Sequence, residues 1–463
     1  MRNNCLKDLT QILGSENILV GEALQKRYTH IWNMETSLQA TALILPETTI
    51  QVSECLKVCN KYDQKVSIHG GLTNLVGGTE SQSDEIVISL ERMNKIIEID
   101  SSSRTVSVEA GVILQNVHEA VQKEGLMFPL NFGAKGSAQI GGMISSNAGG
   151  LRVLRFGMTR NLVIGLEAVL ADGTIISSLK KIIKDNSAYD IKQMFIGSEG
   201  TLGIITKAVL KLVEAPKSRC SAFVAFNDYD KVVNFLKYMD QGLAGLLSAY
   251  ELIWRETYKC MTNPDNINTP IPNKYKFYVL LESLGSDQVQ DQNKLETLLE
   301  EALDKDLILE AVPAQTKSDL EWFWKIREDV HVVKSACTID QHFDISLPIP
   351  DIGVYVDQAV EKLNAMQGVN AVYTFGHVAD GNIHFIVDKS DNSDALRMAI
   401  NDVVYTPLKS LGGSVSAEHG IGIHKRTYLS LSRTPEEIAM MRTIKKALDS
   451  KNILNPRNIF LES

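Results

Sequence analysis

Residues 129–150 read PLNFGAKGSAQIGGMISSNAGG. Six of these 22 residues are glycine, and Ser137, Ser145, Ser146 and Asn147 stand among them. Glycine lets backbone approach an anion with no Cβ in the way, and consecutive main-chain N–H groups form a nest for phosphate. A second cluster, HGGLTNLVGG at 69–78, follows directly on a predicted strand, Lys65–Ile68. Neither cluster has G-x-G-x-x-G spacing at a strand–helix junction, which disfavours an NAD-type site. G-x-x-x-x-G-K-[ST] and G-x-S-x-G are also missing. One such stretch reads equally well as a turn-rich loop; two of this composition point to a bound pyrophosphate.

Around these loops, residues 40–215 alternate short β-rich runs with helical stretches. Thr41–Leu45 is a predicted strand ended by Pro46, and Val52, Cys55, Leu56 and Cys59 recur at helical spacing within 49–62. Ile86–Leu90 is a further strand. Ile96–Ile99 with Val106–Val108 and Val163–Leu170 with Thr174–Ser177 are predicted hairpins, the second turning at Asp172-Gly173. Beyond Pro216 come a strand at Ala222–Phe226, a helix at Tyr229–Met239 and a charged amphipathic helix at 288–304. A last helix is predicted over 434–454, stopped by Asn455-Pro456.

With 463 residues the chain is too long for one core. The net charge of −9 argues against a nucleic-acid partner. No apolar run approaches the ~18–20 residues of a membrane helix. Residues 1–14 carry Asp8 in their apolar stretch and do not read as a signal peptide. None of the six cysteines forms C-x-x-C, so neither a thiolate zinc site nor an iron–sulfur cluster is supported. A reduced, cytoplasmic setting is the default expectation, with any membrane contact made through an electron acceptor.

The residues resemble a known family. Residues 37–215 look like the FAD-binding domain of the vanillyl-alcohol oxidase and p-cresol methylhydroxylase (PCMH) superfamily. The likeness is most specific at Pro129–Gly150, at Arg155-Phe156-Gly157 and at IGSEGTLGIIT, 196–206. The whole chain is similar to D-2-hydroxyglutarate dehydrogenases and their D-lactate- and glycolate-oxidising relatives. The resemblance implies an α+β protein: a PCMH-type FAD-binding domain (1–215), an α+β cap with an antiparallel sheet (216–415), and a C-terminal segment (416–463) returning to the flavin. It implies that His69, Gly70, Gly71, Leu72, Thr73, Asn74 and Leu75, with Pro129, Gly136, Ser137, Gly141, Gly142, Ser145, Asn147 and Gly149, wrap the FAD pyrophosphate. Gly200 and Ile204 are expected near flavin or adenine, and Asn455 at the isoalloxazine. Leu72 and Asn74 depart from the family's usual residues; Asn tolerates φ > 0 better than most.

Six of the nine histidines fall between His331 and His424. In TFGHVADGNIHFIV, 374–387, Asp380-Gly381 is a type I′ turn signal. A two-residue loop there sets His377 opposite His384, with Cβ atoms ~5 Å apart on one face. Glu418, in SAEHGIG at 416–422, supplies a carboxylate. Two histidines and a carboxylate with an open position suit Zn²⁺, Mn²⁺ or Fe²⁺, and zinc is the leading expectation. Taken alone, H-x6-H more often has a structural role; in the family this triad ligates the metal. His419 is expected to take the alcohol proton, as the family supports, while hydride passes to flavin N5.

Arg327, in WFWKIRE at 322–328, can grip a carboxylate bidentately, although an Arg–Glu pair is the rival reading. His331, His342 and Ile386 stand where D-2-hydroxyglutarate enzymes often carry Thr, Lys and Asn. With Asn382, the two histidines complete the expected substrate set. The resulting expectation is oxidation of a small D-2-hydroxy acid, with electrons leaving to a non-NAD protein or quinone acceptor; a homodimer is left open. Two rivals are a non-redox flavin transferase of the alkylglycerone-phosphate synthase type and a non-catalytic flavin-binding subunit.

Overall fold

Three short apolar runs, Ala42–Ile44, Val66–His69 and Ile86–Ser89, form a parallel core in which Ile86 pairs with both Ala42 and Val66. Parallel pairing needs a crossover, and helix Thr49–Lys61 is part of it. Its first turn is capped by the Thr48 side chain, which accepts from the Gln51 N–H, and Val52, Cys55, Leu56 and Cys59 are buried along one face. Ile18–Leu19 joins the edge in antiparallel fashion. The computed structural model describes residues 2–262 and 269–461. They divide into two units, one of Met1–Gly150, Gly157–Ala215 and Glu418–Ser463, the other of Leu151–Phe156 and Pro216–Ala417.

A five-stranded antiparallel sheet completes the first unit, in the order Ile96–Asp100, Thr105–Glu109, Ile204–Lys211, Val163–Val169, Ile175–Ser178. The Asp-Gly turn forms as the sequence suggests: Gly173 has φ +85° and the Thr174 N–H donates to the Asp172 side chain. One apolar core joins the unit's elements, including Val52, Ile86, Val108, Ile144, Ala168 and Leu454.

The last helix is shorter than its sequence pattern. Helix Pro435–Leu448 opens with a Thr434/Glu437 capping box and ends at Asp449. The Asp449 carboxylate accepts from the Ile453 and Leu454 N–H groups, both at 2.9 Å, and so turns the chain out of the helix. Leu454 then bridges Val66 in parallel. Burying Ile453 and Leu454 as extended chain outweighs one more helical turn.

The second unit is built on a seven-stranded sheet, antiparallel throughout. Its order is Glu310–Pro313, Ser218–Phe226, Phe277–Gly285, Leu247–Trp254, Val369–Gly376, Asn382–Lys389, Asp340–Ser346. One face packs Phe223, Ile253, Phe375 and Ile386 with Phe323 and Trp324 of helix Lys317–Glu328 and Val333 of helix Val330–Ala336. On the other, Phe226 and Tyr250 meet Phe235 of helix Tyr229–Leu243, and Phe385 meets Tyr355 of helix Ile352–Asn364. Segment Leu151–Phe156 is tied to this sheet through Arg152, whose guanidinium pairs at 2.9 Å with the fully buried Glu282.

Candidate active site

In the first unit the two glycine clusters interlock. A Cβ on Gly71 would stand 2.0 Å from the Ser137 carbonyl oxygen, and one on Gly70 would stand 3.5 Å from Gly142 Cα. Gly141 is pressed on Ala110, whereas Cβ atoms built on Gly136 and Gly142 would meet nothing within 4 Å. The first loop has two left-handed residues, Leu72 at φ +55° and Gly77 at φ +73°. Asn74 instead uses its side chain, whose Oδ1 accepts from the Val76 and Gly78 N–H groups at 2.9 and 2.7 Å. Thr73 accepts the Trp32 indole N–H at 3.4 Å, and Leu75 is half exposed. His69 is buried beneath the loop against the Thr79 carbonyl, 2.8 Å away, and burial brings its pKa down to about 4, so the ring is neutral at ordinary pH.

The second loop is knitted to the 196–206 stretch. The Glu199 N–H donates to the Ser145 carbonyl at 2.8 Å, and the Gly197 N–H to that of Ile144. Asn147, at φ +51°, accepts the Arg160 N–H. Gly200 leaves room for Asn455: a Cβ there would be 2.8 Å from Asn455 Nδ2. Asn455 accepts the Ile68 N–H at 2.9 Å and donates to the Glu199 carbonyl at 2.7 Å. Ile204 and Pro129 are buried at the base. Glu199 was not singled out from the sequence. Burial raises its pKa, although its oxygens accept the Ile421 and Gly422 N–H groups at 2.7 Å each. It thereby anchors the turn holding Glu418, His419 and Gly420; a Cβ on Gly149 would stand 2.5 Å from Glu418 Oε1. His419 is half-buried.

These loops fit a flavin dinucleotide. The open flank of Gly136 and Gly142 leaves backbone approachable, and the buried Gln139 side-chain oxygen has no hydrogen-bond partner among the described residues. Gly142→Val therefore separates folding from loading. The side chain has space in the protein, so thermal stability should stay near wild type. FAD recovered from the denatured protein should fall at least about tenfold if the open flank of Gly142 is where backbone approaches phosphate, because the branch would fill it. Full FAD content in a folded variant would remove Gly142 from the cradle.

In the second unit the histidine hairpin differs from the two-residue turn its sequence suggests. Val378–Asp380 forms a 3₁₀ turn and Gly381 follows at φ +84°. The Asn382 N–H closes a four-residue loop on the His377 carbonyl at 3.2 Å. His384 therefore pairs with Phe375, not with His377. Burial of Val378 is what the longer loop gains. The two rings still meet, edge to face, with centroids 5.4 Å apart.

Each ring has a buried acid beside its Nδ1. His377 Nδ1 is 2.7 Å from Glu251 Oε1, and His384 Nδ1 is 3.8 Å from Asp344 Oδ1. A histidine that donates its Nδ1–H to a carboxylate turns Nε2 outward as a ligand. Glu251 also pairs with Arg327 through its other oxygen at 2.7 Å. Burial alone would raise the Glu251 pKa, but His377 and Arg327 together hold it below the usual carboxylate value. Arg327 is thus in an Arg–Glu pair, though a buried one, with its guanidinium 4.8 Å from the Phe375 ring centre. Asp344 accepts from Asn382 Nδ2 at 2.7 Å and from the Ala417 N–H at 3.1 Å. Burial pushes Asp380 up to about 6.

The remaining expected substrate residues are dispersed. The Asn382 amide nitrogen is taken by Asp344 and the Ile345 carbonyl. His342 is paired with Asp340. His331 is exposed and lines an open cavity of about 790 Å³ with Glu256, Lys259, Cys260, Asp329 and Tyr373. Glu251 and Asp344 were missed in the sequence. For Glu251 the signal was a lone acid inside the apolar strand Leu247–Trp254; the strand of Asp344, DQHFDIS, is mostly polar and gave none.

Residues 40–178 match the FAD binding domain family, and residues 215–459 match the family of FAD linked oxidases, C-terminal domain. The chain belongs to the FAD-linked oxidase family. As a member it is an FAD-binding oxidoreductase with the PCMH-type fold. Over 454 residues this oxidase is 36% identical to the mitochondrial D-2-hydroxyglutarate dehydrogenase of Arabidopsis thaliana, covering 98% of this chain and 81% of that protein. It is 34% identical to a D-2-hydroxyglutarate–pyruvate transhydrogenase of Saccharomyces cerevisiae, over 96% of this chain and 92% of that one. Its fold is also that of substrate-bound p-cresol methylhydroxylase, with a TM-score of 0.76 at 16% identity over 99% of this chain and 97% of the other. The cytoplasmic expectation is overturned: the Arabidopsis relative is named as a mitochondrial protein. Free cysteines, on which that expectation rested, suit any reducing compartment. Among the described residues no helix is long and apolar enough to cross a membrane.

Proposed function

We propose that this FAD-linked oxidase converts a D-2-hydroxy acid into the 2-oxo acid beside a divalent cation, zinc first, and passes the electrons to a protein or quinone acceptor. The observation that carries this reading is the pair of adjoining histidines, each backed by a buried carboxylate. Such backing is the usual support of metal-ligating imidazoles. His377 and His384 supply two ligands, and Glu418, carried by the other unit, is the proposed third. The flavin supplies the two-electron oxidant, and the cation supplies Lewis acidity toward the hydroxyl. FAD is held by the 69–75 and 129–150 loops with Gly200, Ile204 and Asn455.

The chain's own groups then have distinct tasks. Arg327 binds the substrate carboxylate through donors that Glu251 does not use, and its burial makes that charge effective at short range. His419 accepts the hydroxyl proton at a ring nitrogen. Glu251 keeps the His377 ring from rotating through a 2.7 Å contact, and Asp344 lies 3.8 Å from His384 Nδ1 as its counter-charge. Asn382 serves the same shell, because its amide is committed to Asp344. The names of the two relatives support a 2-hydroxy acid and 2-oxo acid pair.

Anaerobic addition of D-2-hydroxy acids tests the reaction directly. The yellow absorbance of the purified enzyme should bleach within seconds to minutes with a D acid and remain with its L enantiomer. A flavin that stays oxidised against a panel of D-2-hydroxy acids, in metal-replete enzyme, would refute the proposal.

A further inference from the structure

Strand register lays out what the far end of a substrate meets. Facing strands place three rows side by side on the face that bears His384. The first row is Phe375, His384 and Asp344; the second is Tyr373, Ile386 and His342; the third is Ala371, Asp388 and Asp340. Rows on one face of a strand are ~6.5–7 Å apart. A short acid whose reacting carbon lies at the histidine row is long enough for its far end to reach the second row.

That row offers no net charge. Ile386 is 1% exposed and packs in the apolar cluster with Phe375, Val333 and Tyr373. The His342 imidazole is in contact with the Asp340 carboxylate, which His342 and then Lys334 stabilise in its ionised form. Any positive charge on His342 is thus matched by its own partner. Beyond it Asp388 stands directly opposite Asp340, a further carboxylate that the His342–Asp340 pair does not match and that repels an anion. Asp388 is held there by the Thr338 N–H at 2.7 Å. In the opposite direction lie Asn382 and Ser346, where the Asn382 amide nitrogen is already engaged.

We infer that the substrate is a monocarboxylic D-2-hydroxy acid with an uncharged aliphatic side chain, and that Ile386 with the His342–Asp340 pair sets this preference. This rests on the D-2-hydroxy acid reading above and narrows it. It also removes a role for His342 as a cation reading a second carboxylate. A charged end would lose its water against Ile386 without gaining a partner, a loss that a hydrocarbon end does not suffer.

The experiment uses the FAD- and metal-loaded enzyme with a dye acceptor. It compares kcat/KM for D-lactate, D-2-hydroxybutyrate and D-2-hydroxyisovalerate with that for D-2-hydroxyglutarate. At least one aliphatic acid should exceed D-2-hydroxyglutarate by about tenfold or more, a ratio in the range that pocket polarity produces. His342→Lys, at a part-exposed position that folds readily, should move the ratio toward the dicarboxylate, as should Ile386→Asn. Preference for D-2-hydroxyglutarate in the wild type overturns the inference while leaving the reaction intact. A ratio unchanged in both variants also overturns it. If neither kind of acid bleaches the flavin, the reaction itself fails, and the inference with it.

Discussion

His384→Ala should purify yellow, poor in metal, and slower in dye reduction by at least about 10²–10³-fold, the usual cost of removing one group that stabilises developing charge. The ring is one of two that adjoin at 5.4 Å, and a site of three protein ligands does not hold a cation well with two. The glycine loops, Glu199 and Asn455 belong to the first unit and His384 to the second. Flavin content per chain should therefore match the wild type. Elemental analysis, the ratio of flavin to protein absorbance and the dye-reduction rate measure the three quantities separately. A variant with full metal content and full rate would show that His384 is a packing residue beside Phe375, 5.2 Å away ring to ring, and not a ligand.

Glu251→Ala should strongly destabilise the second unit. The side chain is 1% exposed and faces two cations or near-cations, His377 and Arg327, both at 2.7 Å. Removing it leaves the Arg327 guanidinium buried without its counter-charge, at a cost of about 3–5 kcal/mol. For a unit of this size that is a fall in melting temperature on the order of 6–20 °C. Glu251→Gln keeps the shape and one acceptor, so its fall should be smaller. Both variants should also bind metal more weakly, by about 10–100-fold, because His377 is no longer held with Nε2 outward. Thermal unfolding and competition with a coloured chelator give the two numbers. Unchanged stability in Glu251→Ala would mean that Arg327 finds water or another acid, and the buried pair would then explain nothing.

Local patterns were legible where local physics decides. Helical spacing of Val52, Cys55, Leu56 and Cys59, the Asp172-Gly173 turn and the two glycine clusters all depend on neighbours within a few residues. Glu251 was not legible, because its partners His377 and Arg327 lie far along the chain and a strand must bring them together. Even so, an acid within SAYELIW, or within LLESL at Glu282, is a signal in itself: a carboxylate in a fully buried strand needs a cation. The hairpin at 377–384 was misjudged because Asp-Gly favours a two-residue loop only when no residue beside it gains by burial. Val378 does gain. The final helix is shorter than its pattern for a similar reason, since Ile453 and Leu454 fit a helical period but pack against Val66 as extended chain.

The tie between Val66 and Leu454 also sets a timetable. The Val66 N–H donates to the Ile453 carbonyl at 2.7 Å, the Asn455 N–H donates to the Val66 carbonyl at 2.8 Å, and Asn455 holds the end of strand Val66–His69 and the Glu199 turn together. Ile68 and Asn455 are 387 residues apart in sequence. At about 5–20 residues per second, the ribosome needs roughly 20–80 s to cover that distance. Throughout that interval the emerging N-terminal half lacks one of its own strand partners, with the Ile453 and Leu454 places in its core unfilled. The first unit thus gains its full set of strand partners only after the cap has been made, and an N-terminal half released before that point should hold FAD less well than the whole chain.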